Sequence, residues 1–121
     1  MVRALIMEDD DEVRSMVRMY LELAGVEVVA LAADAPAAVA CWDELRPDVV
    51  VLDHYVSCHA GDLTGLDAAA AIRSIDPNAN LVLFSAWADA GPVEARAADL
   101  GVRCVTKDRL AGLVDALSLA A

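Results

Sequence analysis

Residues 4–17 read ALIMEDDDEVRSMV, and the fold turns on how that stretch is parsed. Four apolar residues, Ala4 to Met7, run into five consecutive carboxylates, Glu8 to Glu12, with no cation between them. Beyond the acids, Val13, Met16, Val17, Tyr20, Leu21 and Ala24 recur at three- and four-residue steps, and Gly25 follows as a C-terminal cap. A short buried strand, an acidic turn and an amphipathic helix account for the pattern. Five like charges in a row repel one another, so the turn needs something that makes them tolerable.

The same alternation continues outward along the chain. Short apolar runs at Val26–Ala32, Val49–Leu52, Leu81–Phe84 and Val102–Thr106, several of them β-branched, have the character of strands buried on both faces. Helical patterns fill the intervals. Ala35–Leu45 opens after Asp34 with Pro36 in its first turn, and Leu66–Ile75 ends ahead of Pro77. Pro92–Leu100 is alanine-rich, and Asp108 is the expected N-cap of a last helix carrying Leu110, Leu113, Val114 and Leu117. Strand–helix repeated five times predicts an α/β fold, a five-stranded parallel sheet with helices on both faces. From Asp53 to Gly65 there is no periodicity, which is long for a strand-to-helix connection.

Bulk properties agree. The 121 residues fit one domain with a core of its own, and 59% hydrophobic content with only 4% aromatic implies a core of Ala, Val and Leu. A net charge of −11 argues against binding nucleic acid or an anionic membrane surface, so proteins or cations are the expected partners. With no signal-like segment and no apolar run of about 18 residues, the expected location is cytoplasmic. Cys41, Cys58 and Cys104 lack paired spacing and read as ordinary thiols; His54, Cys58 and His59 do not make a soft-metal pattern.

Ligands of open α/β sheets sit beyond the carboxyl ends of the strands. Standing there are Glu8 and Asp9 after the first strand, Asp53 after the third, Ser85 after the fourth and Lys107 after the fifth. In a sheet where the first and third strands are neighbours, three carboxylates would converge beside a hydroxyl and an ammonium. Hard oxygens so crowded call for a cation, and Mg²⁺, which takes one or two carboxylates and keeps several waters, fits them. The other acids, Asp10, Asp11 and Glu12, fall at the start of the first helix, where unpaired N–H groups and the dipole favour negative charge.

In register, LIMEDDDEVRSMV, PDVVVLDHY, GLDAAAAIR, LVLFSAWAD and CVTKD resemble the receiver domain of two-component response regulators, across essentially the whole chain (residues 1–121). The resemblance implies the strand order 2-1-3-4-5, with Asp53 as phosphoacceptor. It implies that Glu8, Asp9, Asp53 and the backbone carbonyl of Tyr55 hold Mg²⁺, and that Ser85 and Lys107 contact the acquired phosphoryl group. A sensor histidine kinase or a histidine phosphotransfer protein is the implied donor, and a downstream protein or output domain the implied receiver of the signal. Such a domain accepts a phosphoryl group and promotes its own phosphorylation and dephosphorylation; it is not an enzyme acting on an outside substrate.

Departures from the family pattern are specific. The segment after Asp53 is longer than usual by about four residues. Cys104 stands where an aromatic is customary, putting the usual ring switch in doubt, and Asp108 follows Lys107 where proline is frequent. Two other functions compete: a receiver-fold interaction module independent of phosphorylation, and a phosphatase resembling haloacid dehalogenases, suggested by the Asp-x-Asp of Asp9–Asp11. Retention of Glu8, Asp9, Asp53, Ser85 and Lys107 opposes the first. The lack of an acidic pair after Lys107 opposes the second.

Overall fold

A computed structural model of the chain describes residues 1–53, 64–86 and 91–118. Strands β1 (Arg3–Met7), β2 (Glu27–Ala32), β3 (Val49–Leu52), β4 (Leu81–Phe84) and β5 (Arg103–Val105) alternate with helices α1 (Asp11–Leu23), α2 (Ala35–Leu45), α3 (Gly65–Ile75), α4 (Gly91–Asp99) and α5 (Leu110–Ser118). All pairings are parallel, in the order β2-β1-β3-β4-β5. This is the flavodoxin-like topology.

Successive strand residues point to opposite faces, and here both faces are covered. Leu5, Met7, Val50, Leu52, Leu81 and Leu83 pack under α2, α3 and α4, against Ala38, Trp42, Leu66, Ala69, Ile72 and Ala97. Ala4, Ile6, Val49, Val51, Val82 and Phe84 face α1 and α5, meeting Val17, Leu21, Leu113 and Leu117. Alanine at the helix contacts lets the backbones approach the sheet closely, which is how a core with so few rings is filled.

Two expected strands begin one residue late for the same reason. Gly25 (φ +89°) and Gly101 (φ +69°) end α1 and α4 in the left-handed conformation. The next N–H groups, of Val26 and Val102, bond back to Leu21 O (3.0 Å) and Ala97 O (2.8 Å), while those of Gly25 and Gly101 bond Glu22 O and Ala98 O, both at 3.1 Å. Both ends are Schellman motifs, so the valines close helices before the ladders start. Asp108 is not the N-cap of α5. It lies in a turn where its carboxylate accepts from the Thr106 hydroxyl (2.6 Å), and α5 starts only at Leu110, its first intrahelical bond running from Leu113 N–H to Arg109 O.

Candidate functional site

Strand register brings the polar ends together. Met7 pairs with Leu52, and Leu52 with Leu83, so β1, β3 and β4 finish nearly level. The Asp53 N–H continues the ladder to Met7 O (3.1 Å), the Glu8 N–H bonds Ala32 O (2.9 Å), and the Ser85 N–H bonds Val105 O (3.1 Å). Backbone pairing therefore fixes Glu8, Asp53 and Ser85, all buried, at one rim of the sheet.

Across that rim lies Lys107. Its ammonium donates to both Glu8 oxygens, each at 3.1 Å, and to Asp53 Oδ2 at 3.2 Å. Asp53 Oδ1 is buried and has no hydrogen-bond partner among the described residues. Burial, and then the hydrogen bond and charge of Asp53, push the Glu8 carboxyl up to about 8, against the pull of Lys107. Asp9 is more open to solvent, yet partial burial and the Asp53 charge raise it as well. Burial works to lower Lys107, but Asp53 and Glu8 hold the ammonium above its ordinary value.

Glu8, Asp9 and Asp53 each offer an oxygen within 4.8 Å of the others. One lysine is too little charge for three carboxylates, and one buried oxygen of Asp53 is left unengaged by the described residues. An all-oxygen donor set of this kind fits a hard cation such as Mg²⁺, which would relieve the repulsion that raises Glu8 and Asp9.

The other acids of the run serve the helix. Asp10 is the N-cap of α1, its Oδ1 accepting from Glu12 N–H (2.9 Å) and Val13 N–H (3.0 Å), with Asp11 and Glu12 in the first turn. The opening run thus divides between a site and a cap. Arg14, not foreseen in the sequence, donates from Nη1 to the Glu8 carbonyl oxygen at 2.8 Å and pairs with Asp11. Its signal was being the first cation after the acids, one turn into the helix.

Among the expected residues, Glu8, Asp9, Asp53 and Lys107 are brought together. Ser85 is fully buried directly after β4. Tyr55, together with His54, Cys58 and His59, lies outside the described residues. Cys104 is an exposed free thiol on β5, and burial and the nearby Glu94 push its pKa up; Cys41 is free and half-buried.

Parallel order and a carboxylate rim answered by a lysine define the class, and comparison gives the family. The model of the response regulator receiver domain matches residues 4–117, and the chain belongs to that family. It is similar to the chemotaxis protein CheY of Listeria monocytogenes, 34% identical over 93 residues that cover 77% of this chain and 75% of that protein. CheY of Thermotoga maritima is 36% identical over 84 residues, covering 69% and 67%. Among solved structures, a LuxR-family two-component response regulator from Aurantimonas is 32% identical with a TM-score of 0.85, over 98% of this chain and 83% of that one.

Proposed function

We propose that this receiver domain takes a phosphoryl group onto Asp53 from a phosphohistidine of a sensor kinase or phosphotransfer protein, with Mg²⁺ held by Glu8, Asp9, Asp53 and the Tyr55 carbonyl. The observation that carries the reading is the Lys107 ammonium bridging Glu8 and Asp53 while Asp53 Oδ1 stays buried and unpartnered among the described residues. An Asp53 oxygen attacks phosphorus as the P–N bond to the donor imidazole breaks and a P–O bond forms. Such a transfer asks chiefly for in-line placement and for positive charge near the equatorial oxygens. Lys107 supplies one charge and the Ser85 hydroxyl a hydrogen bond; Mg²⁺, when bound, supplies further neutralisation.

In this reading residues 1–121 work as one receiver domain in the cytoplasm, passing the signal to a protein partner or output domain and turning over no outside substrate. No helix among the described residues is long and apolar enough to cross a membrane. Intact-mass measurement after incubation with acetyl phosphate and Mg²⁺ tests the core claim. One phosphoryl group should be added to the wild type and none to Asp53→Asn; equal labelling of the two overturns the assignment.

A further inference from the structure

The turn that carries Glu8 and Asp9 is fixed from outside the sheet by a side chain with no part in the proposed transfer. Arg14 sits one turn into α1 with 19% of its side chain exposed, donates from Nη1 to the Glu8 carbonyl at 2.8 Å, and pairs through Nη2 with Asp11. That carbonyl belongs to the peptide joining Glu8 to Asp9. Holding it sets the orientation of the peptide plane, and hence the relation between the two carboxylates on either side. We propose that Arg14 is a positioning residue for the cation site, acting through the Glu8–Asp9 peptide and touching neither cation nor phosphoryl group. The inference rests on the reading of Glu8 and Asp9 as ligands given above.

Two effects of Arg14 oppose each other, which makes the claim testable. A guanidinium beside a cation site repels the cation; a locked peptide preorganises the ligands. If charge dominated, removing it would tighten binding, and Lys, which keeps the charge, would change little. If positioning dominates, both replacements weaken binding, because lysine has one point donor in place of a planar fork that spans the Glu8 carbonyl and Asp11. Loss of a group that orients metal ligands typically costs roughly 10-fold to 100-fold in affinity.

The experiment is a calorimetric Mg²⁺ titration of wild type, Arg14→Lys, Arg14→Met and Arg18→Met, repeated with Mn²⁺ by water-proton relaxation. Arg18, paired with Glu22 on the exposed side of the same helix, controls for loss of a positive charge. Both Arg14 variants should weaken either ion about 10-fold or more, with Arg18→Met unchanged. Melting in EDTA checks folding, and faster exchange of the Asp9 amide in metal-free Arg14→Lys gives a readout independent of any ion. Binding by Arg14→Met equal to or tighter than wild type overturns the proposal, as does a wild-type-like Arg14→Lys. A wild type that takes up neither ion sinks the parent reading and this one with it, an outcome distinct from unchanged binding in the variants.

Discussion

The Lys107 ammonium lies 3.2 Å from one carboxylate oxygen of Asp53, and the other oxygen of Asp53 is buried without a hydrogen-bond partner among the described residues. The two residues thus share one bond at a place where two carboxylates need neutralising. Lys107→Met leaves Glu8 and Asp53 facing each other without the ammonium that bridges them. Phosphorylation by acetyl phosphate should slow by roughly 10²–10³, the usual effect of losing a charged or hydrogen-bonding group at developing transition-state charge. Rates followed by intact mass decide this; an unchanged rate would remove Lys107 from the chemistry.

Crowded acids also bear on stability. The raised Glu8 and Asp9 carboxyls show that the metal-free site disfavours its own charges. Asp53→Asn removes one of them, so in EDTA it should be more stable than wild type by on the order of 1 kcal/mol, despite the weakened bond to Lys107. Added Mg²⁺ should reverse the order, since a ligand at a hundred times its Kd stabilises by about 2.7 kcal/mol and the variant binds it less well. Thermal melts of both proteins with and without Mg²⁺ check the crossing; parallel shifts would contradict it.

The inner strands were legible because nothing competes with their pattern: β3 and β4 fall at Val49–Leu52 and Leu81–Phe84, as their apolar runs predict. Val26 and Val102 look like strand residues by the same criterion, but their N–H groups are committed to the preceding helix. Acid and lysine positions were legible as strand ends, although the Lys107–Glu8 bond spans 99 residues and only the family's strand order makes it foreseeable. Thr64 and Asp67 form a capping box at α3 that the sequence spells out as Thr-x-x-Asp. Gly65, a weak helix former at the first helical position, masks it by prolonging the aperiodic stretch before α3. Arg14 offered one cue, its place as the first cation after the acids, because a guanidinium reaching a backbone carbonyl leaves no periodic trace.

Glycine substitutions separate conformational from steric cost. At Gly101 a Cβ would meet Arg73 Nη2 at 3.6 Å, an ordinary contact, and at Gly25 it would meet nothing within 4 Å. Only the positive φ opposes a side chain. Gly25→Ala and Gly101→Ala should each lose about 1 kcal/mol in urea unfolding, and the Asn variants less. Gly112 in α5 has no positive φ, and a Cβ there would touch Val105 Cγ1 at 3.5 Å. Gly112→Ala should instead gain about 0.5–1 kcal/mol. Equal effects at all three positions would refute the distinction.

Asp67 provides the pH dependence. Its Oδ2 accepts from the Thr64 N–H (2.7 Å) and hydroxyl (3.2 Å), and its Oδ1 from Arg96 of α4 (2.9 Å), joining the start of α3 to the neighbouring helix. Burial is the largest single influence and pushes the carboxyl up, but the Thr64 N–H, Arg96 and the Thr64 hydroxyl together outweigh it, leaving the pKa below its ordinary value. A depressed folded value means that the stabilisation is fully present above the unfolded pKa of about 3.9 and is lost as pH falls through the folded one. Asp67→Asn should therefore cost about 1 kcal/mol near neutral pH, most of it from the cap, because a pair 45% and 31% exposed adds only a few tenths. The gap between wild type and variant should hold from about pH 7 to about pH 5 and close only in acid below the ordinary carboxylate range, as pH falls through the depressed folded value. Arg96→Ala should lose only the smaller share. Urea unfolding of the three proteins across that range tests the assignment, and a gap that stays constant into acid would show that the Asp67 charge contributes nothing.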